Sequence, residues 1–174
     1  MSRCSRPQFH PRGLEIDDTR GLDVIVIDAS AVLAIMFGEP DAALVVQALR
    51  DYPRAACIAP DLLVLEVANS VLMFRRRLPA DRALSTDGAF AFCTTEVLAQ
   101  RVLEQLSSLG ISLEPSTDAR NFTQLITLAE SHRLTSYDAA YLALAQTRRA
   151  TLLTLDRNLA HAAMTLGVDA IPRS

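Results

Sequence analysis

The chain has 174 residues, a formal net charge of −3, and half of its residues are hydrophobic. That length suits one domain with a sizeable core, and the apolar share excludes disorder for most of it. There is no Lys anywhere in the sequence, so a P-loop lysine and a Schiff-base amine are both excluded, and two large enzyme designs go with them.

Residues 1–22 are polar, carry Arg3, Arg6, Arg12 and Arg20, and are broken by Pro7, Pro11, Gly13 and Gly21. They read as a flexible extension without the apolar run of a secretory signal. An ordered domain is expected over 23–172. It opens on Val24-Ile25-Val26-Ile27, a β-branched run typical of a buried parallel strand. Further strands are expected at Ala56–Ile58, Ile111–Leu113, Thr151–Leu155 and Val168–Ile171. Helical patterns fill the intervals: Ala31–Phe37, Asp41–Arg50, Asp61–Arg76, Ala80–Phe92, Glu96–Leu109, Phe122–His132, Tyr137–Arg148 and Arg157–Leu166. Pro40 and Pro60 stand before helical patterns, Ser136 is placed to cap a helix, and Gly110 and Gly167 follow helices. Strands alternating with helices predict an α/β fold with a central parallel sheet of about five strands and helices on both faces. The helical stretch 61–109 contains no strand pattern and is expected to project as a helical clip.

Cys4, Cys57 and Cys93 are widely spaced and form no C-x-x-C pair, which disfavours a zinc site or disulfide framework and fits a reducing, cytoplasmic setting. His10, His132 and His161 form no metal-binding pattern and read as surface residues. No apolar stretch reaches the length of a membrane span.

Four acids stand out by position. Asp28 follows the first strand and Asp156 follows the strand ending at Leu155, at the carboxyl edge where open α/β sheets place ligands. Glu66 and Asp138 sit near the starts of apolar helices, where a carboxylate is costly without a partner. Each alone has an ordinary explanation as a helix cap, a dipole partner or a salt-bridge member. Together they can converge on one edge of the sheet. Such a set, with no Lys or His near it in sequence, suits a hard cation, Mg²⁺ or Mn²⁺. Like charges at that density repel, and a divalent ion relieves the repulsion while activating water.

Asp28-Ala29-Ser30, Glu66-Val67-Ala68-Asn69, the block Ser136-Tyr137-Asp138-Ala139-Ala140-Tyr141-Leu142-Ala143 and Thr154-Leu155-Asp156-Arg157-Asn158-Leu159 resemble the PIN-domain superfamily. The wording is closest to the VapC toxins of bacterial toxin–antitoxin pairs. The ordered set of four is what makes the likeness specific. The resemblance implies a PIN-like three-layer fold and a Mg²⁺-dependent endoribonuclease, usually a homodimer, held inactive by a small cognate antitoxin. Carried over residue by residue, Asp28, Glu66, Asp138 and Asp156 become the catalytic, metal-binding acids, and Ser30 and Thr154 their polar supports. Attack by a metal-activated water would leave a 3′-hydroxyl and a 5′-phosphate. Asn158 stands where some relatives carry a further acid, so a second metal would be weakly held. The stretch from Thr86 to Thr95 is longer than usual for such toxins, and the N-terminal extension is untypical. Arg75, Arg76 and Arg77 are candidates for contact with the RNA backbone, or else a solvated helix end that suits cations.

Two other designs with an Asp after the first strand fit less well. A haloacid-dehalogenase site needs a second Asp where Ser30 stands, and a receiver domain needs a Lys. A PIN-like module that binds RNA or protein without cutting it is the remaining alternative.

Overall fold

The computed structural model describes residues 24–52, 55–77, 95–116 and 121–172. Five strands form one parallel sheet: β1 (Val24–Ile27), β2 (Ala56–Pro60), β3 (Ser112–Glu114), β4 (Thr151–Leu153) and β5 (Ala170–Ile171). Seven helices lie among the described residues: α1 (Ala29–Phe37), α2 (Ala42–Asp51), α3 (Leu63–Arg77), α4 (Thr95–Ser108), α5 (Phe122–His132), α6 (Ser136–Arg148) and α7 (Arg157–Thr165). The predicted extension 1–22 and the predicted helix Ala80–Phe92 lie outside the described residues, as does most of the stretch from Thr86 to Thr95. What remains of the helical clip is α3 and α4.

The strands lie in the order β3-β2-β1-β4-β5. From β1 the chain first builds outward on one side and then returns to build on the other. The crevice between β1 and β4 is therefore the topological switch point of the sheet. Register there is fixed by Ile25 opposite Thr151, Val26 opposite Leu152 and Ile27 opposite Leu153. Ile25, Val26, Ile27, Leu152 and Leu153 are fully buried, which is why central parallel strands read as unbroken apolar runs. α6 packs across β1, β2 and β4, while α1 packs on α2 and α3. Tyr141 of α6 is the largest fully buried side chain.

Several boundaries differ from the sequence reading. β4 ends at Leu153 rather than Leu155, although Thr154 still donates its N–H to the Ile171 carbonyl at 3.0 Å. Asp156 thus stands three residues past the strand, at the end of a short turn. The cap of α6 is Thr135, not Ser136: its hydroxyl accepts from the Asp138 N–H while the Asp138 carboxylate accepts from the Thr135 N–H, a capping box. Pro60 is the last residue of β2 rather than the lead-in to a helix. Gly110 and Gly167 adopt left-handed φ of 63° and 74° after α4 and α7, as expected. Arg133 and Arg149 do the same after α5 and α6, at φ of 55° and 50°. No single helix among the described residues is long and apolar enough to cross a membrane.

Candidate metal centre

The switch-point crevice holds a hydrogen-bonded cradle. Asp28 leaves β1 in an extended conformation and caps α1, with its N–H still in the ladder to the Leu153 carbonyl at 2.9 Å. It is 5% exposed. Its Oδ2 accepts from the Ser30 N–H at 3.2 Å, from the Ser30 hydroxyl, and from the Thr154 hydroxyl at 2.9 Å. Each hydroxyl spends its proton on Asp28 and uses its oxygen as an acceptor. Ser30 Oγ takes the Leu155 N–H at 2.9 Å, and Thr154 Oγ1 takes the Asp156 N–H at 3.0 Å. The two hydroxyls therefore clamp the turn after β4 to the turn after β1. The sequence D-x-S is suited to this, because Ser two residues after an N-cap can bond back to it.

Asp156 caps α7, accepting from the N–H groups of Asn158 at 2.7 Å and Leu159 at 3.0 Å. Asp138, in the first turn of α6, accepts from the Thr135 N–H at 3.0 Å and the Thr135 hydroxyl at 2.7 Å. Glu66, in the first turn of α3, accepts from the buried Tyr141 hydroxyl at 2.7 Å. Among the described residues, none of these four acids has an Arg or His in salt-bridge contact.

Electrostatics ties three of the acids together. Burial pushes the Asp28 carboxyl above the usual carboxylate range, against the hydrogen bonds from Ser30 and Thr154 that favour its ionised form. Glu66 is also raised, first by burial and then by the negative charges of Asp28 and Asp138; the Tyr141 bond opposes the shift. Burial, followed by the neighbouring Glu66, drives the Tyr141 phenol far above its ordinary value. The backbone N–H of Asp156 is bonded to the Thr154 hydroxyl that also serves Asp28.

This all-oxygen, uncompensated donor set has the chemistry of a Mg²⁺ or Mn²⁺ site. Among the described residues, however, no three His, Cys, Asp or Glu side chains close into a ready-made cage. The two observations are compatible. Charge coupling acts over several ångströms, whereas coordination needs contact, and Asp138 and Asp156 each have an oxygen on the N-terminus of their own helix. Mg²⁺ keeps several waters and is satisfied by one or two direct carboxylates, so the set fits such an ion through the shared Asp28–Glu66–Asp138 field.

Ser30 and Thr154, expected as polar supports of the four acids, both hydrogen-bond to Asp28. Arg75, Arg76 and Arg77 end α3, nine to eleven residues beyond Glu66, which at the helical rise is roughly 15 Å along the axis. Two contributors were missed. Thr135 was legible as the first member of a T-x-x-D box, and Tyr141 as the residue one helical turn after Asp138 on the same face. Tyr141→Phe is expected to destabilise the metal-free protein at neutral pH by about 1.5–3 kcal/mol, the worth of a hydrogen bond to a charged group. The loss should shrink near pH 3 (roughly one unit below the ordinary Glu value), where Glu66, whose folded value is raised above the ordinary one, loses the charge that strengthens the bond. Urea unfolding of both proteins in EDTA at the two pH values checks this; a loss independent of pH would assign it to packing.

Comparison with known proteins bears on the fold and the family. The PIN domain family model matches residues 25–164. The chain is 32% identical over 136 residues to Ribonuclease VapC3 of Pyrobaculum aerophilum, covering 78% of this chain and 92% of that one. The crystal structure of PAE2754 from Pyrobaculum aerophilum superposes with a TM-score of 0.54 at 22% identity, over 86% of this chain and 91% of that one. FitAcB from Neisseria gonorrhoeae aligns at a TM-score of 0.49 and 20% identity, over 84% and 96% of the two chains. With a family match spanning most of its length, and with the acids of its motifs gathered around the sheet's switch point, this chain belongs to the PIN-domain family.

Proposed function

We propose that the protein is a metal-dependent endoribonuclease, using Mg²⁺ or Mn²⁺, and the toxin of a VapBC-type toxin–antitoxin pair in the cytoplasm. The observation that carries this reading is the group of uncompensated carboxylates at the switch point, with Asp28 buried among them. The likeness to Ribonuclease VapC3 supports RNA as the substrate.

The bound ion would supply a lowered water pKa and charge for a phosphate oxygen. The chain's own residues do the rest. Asp28 is oriented by its hydrogen bonds from Ser30 and Thr154 and would present its carboxylate to the ion from that position. Tyr141 holds one oxygen of Glu66. Asp138 and Asp156 are aimed by their helix N-termini. Thr154 ties the Asp28 carboxylate to the backbone of the turn that carries Asp156. Arg75, Arg76 and Arg77 remain candidates for contact with a longer RNA, outside the cluster. The exposed Leu72, Met73 and Phe74 on α3 offer apolar surface for a second copy and for an antitoxin segment.

The test is cleavage of structured and single-stranded RNA by the purified, antitoxin-free chain in Mg²⁺, in Mn²⁺ and in EDTA. Cleavage that EDTA abolishes and excess metal restores is expected. Tight RNA binding with no cleavage under any metal would favour the non-catalytic module instead.

A further inference from the structure

Beside Asp156 the surface falls into a cleft of about 460 Å³ between α2 and α7, bounded by the chain after β5. Leu44 and Met164 flank it and are 51% and 55% exposed; Leu155 and Pro172 add apolar wall, and Arg157 and His161 supply N–H donors. Thr154 and, of the four acids, Asp156 belong to the same lining, so the cleft begins at the Asp156 edge of the acid group. His161 also lines a second cleft, of about 250 Å³, with His132 and Arg133. The chain as a whole is acidic, with a net charge of −3, yet Arg157, His161, His132 and Arg133 gather on this one side of Asp156.

We infer that this cleft binds the base of the nucleotide next to the cut in single-stranded RNA, with the following phosphate directed toward His161 and Arg133. The inference rests on the ribonuclease reading and deepens it. A phosphate held at the acid cluster must place its neighbouring nucleotide within one residue's reach of Asp156, and the cleft begins at Asp156 itself. Its chemistry is that of a base site: concave, apolar on its walls, with a few donors at the edge. Base recognition of this kind needs an unpaired strand, since only a splayed base exposes its face. Leu44 and Met164 would hold the two faces of the base. Arg157 and His161 would reach its edge or its phosphate, where positive charge and N–H groups match the ligand and Asp41 at the cleft margin does not. The acids select for a phosphodiester through a cation, and the cleft selects for a nucleobase beside it.

The experiment measures cleavage of a short oligoribonucleotide in Mn²⁺ by wild type and by the Leu44→Ala/Met164→Ala double variant. Matched oligonucleotides carry an abasic residue at successive positions around the cut. Both side chains are more than half exposed, so the variant should keep the wild-type melting temperature. For wild type, one abasic position next to the cut is expected to raise KM about tenfold, the scale of losing roughly 50 Å² of buried apolar contact at about 25 cal/mol per Å². The double variant should show that rise on the intact substrate and no further rise on the abasic one, the signature of two changes removing one interaction. If wild type cuts but the variant's KM is unchanged, or the two losses simply add, the cleft does not hold the base and the nuclease reading survives without it. A drop in oligomeric mass of the variant by light scattering would assign the face to a second copy and overturn the inference. If wild type cuts no RNA, both readings fall.

Discussion

In EDTA, Asp28→Asn is expected to melt at the same temperature as wild type or above it, and in millimolar Mn²⁺ well below it. Asp28 and Glu66 both have carboxyl pKa values raised in the folded state by burial, and for Glu66 also by Asp28 and Asp138. The folded state therefore binds these protons more tightly than the unfolded chain. Their favourable contribution is present in acid and is lost as pH rises through the folded values, so at neutral pH the ionised pair costs stability. Asn removes the charge at the most buried position and keeps an oxygen for Ser30 and Thr154. The metal-free stability of wild type should accordingly fall between mildly acidic and neutral pH, and Asp28→Asn should flatten that fall. Metal reverses the order, because an ion that binds only the native state at a hundred times its Kd adds about 2.7 kcal/mol, or roughly 5–10 °C for a domain of this size. Thermal melts of both proteins with EDTA and with Mn²⁺ decide it. No metal shift in wild type, together with an Asp28→Asn protein that melts far lower in EDTA, would make this carboxylate a structural cap and nothing more.

The second large effect separates chemistry from folding at the other two acids. Asp138→Asn and Asp156→Asn should each lower the RNA cleavage rate by more than about 100-fold, since losing even an outer partner of a metal costs about 10–100-fold. Growth arrest on expression should disappear with the cleavage. Stability should barely change. Asn caps a helix about as well as Asp, so the bonds from Asn158 and Leu159 to residue 156 have an acceptor, as do those from Thr135 to residue 138. Only the charge at the helix N-terminus is lost, about 0.3–1 kcal/mol. Initial cleavage rates and growth curves at matched protein levels provide the measurement. Equal cleavage and equal growth arrest by wild type and both variants would remove these acids from the mechanism.

The centre of the sheet was legible because β1 and β4 are buried on both faces and read as unbroken apolar runs. Val24–Ile27 can scarcely be anything but a central strand, and Asp28 after it marks the carboxyl edge. The end of β4 was not legible: Thr154 and Leu155 continue the β-like pattern, but residue composition does not reveal where ladder pairing stops. That matters for the site, because Thr154 turns its hydroxyl to Asp28 instead of continuing the strand. Which acids carry the largest penalty was not legible either: burial raises the carboxyls of Asp28 and Glu66, and burial is a property of the assembled layers. Thr135 lost the cap assignment to Ser136 because both residues are good caps, and only the position of Asp138 three residues after Thr135 selects between them. Arg133 and Arg149 show the same limit, as left-handed positions after helices that glycine would have announced.

The order of the strands divides the cluster in time as well as in space. Asp28 and Glu66 are synthesised with β1, β2 and β3, whereas Asp138 and Asp156 arrive with α6 and β4. The seam between the two halves is the β1–β4 pairing, which cannot form until residues 151–153 have left the ribosome. A nascent chain therefore carries no more than two of the four acids for most of its synthesis and acquires the full set only near the end. A chain whose translation aborts before that seam closes would be harmless to the RNA that encodes it.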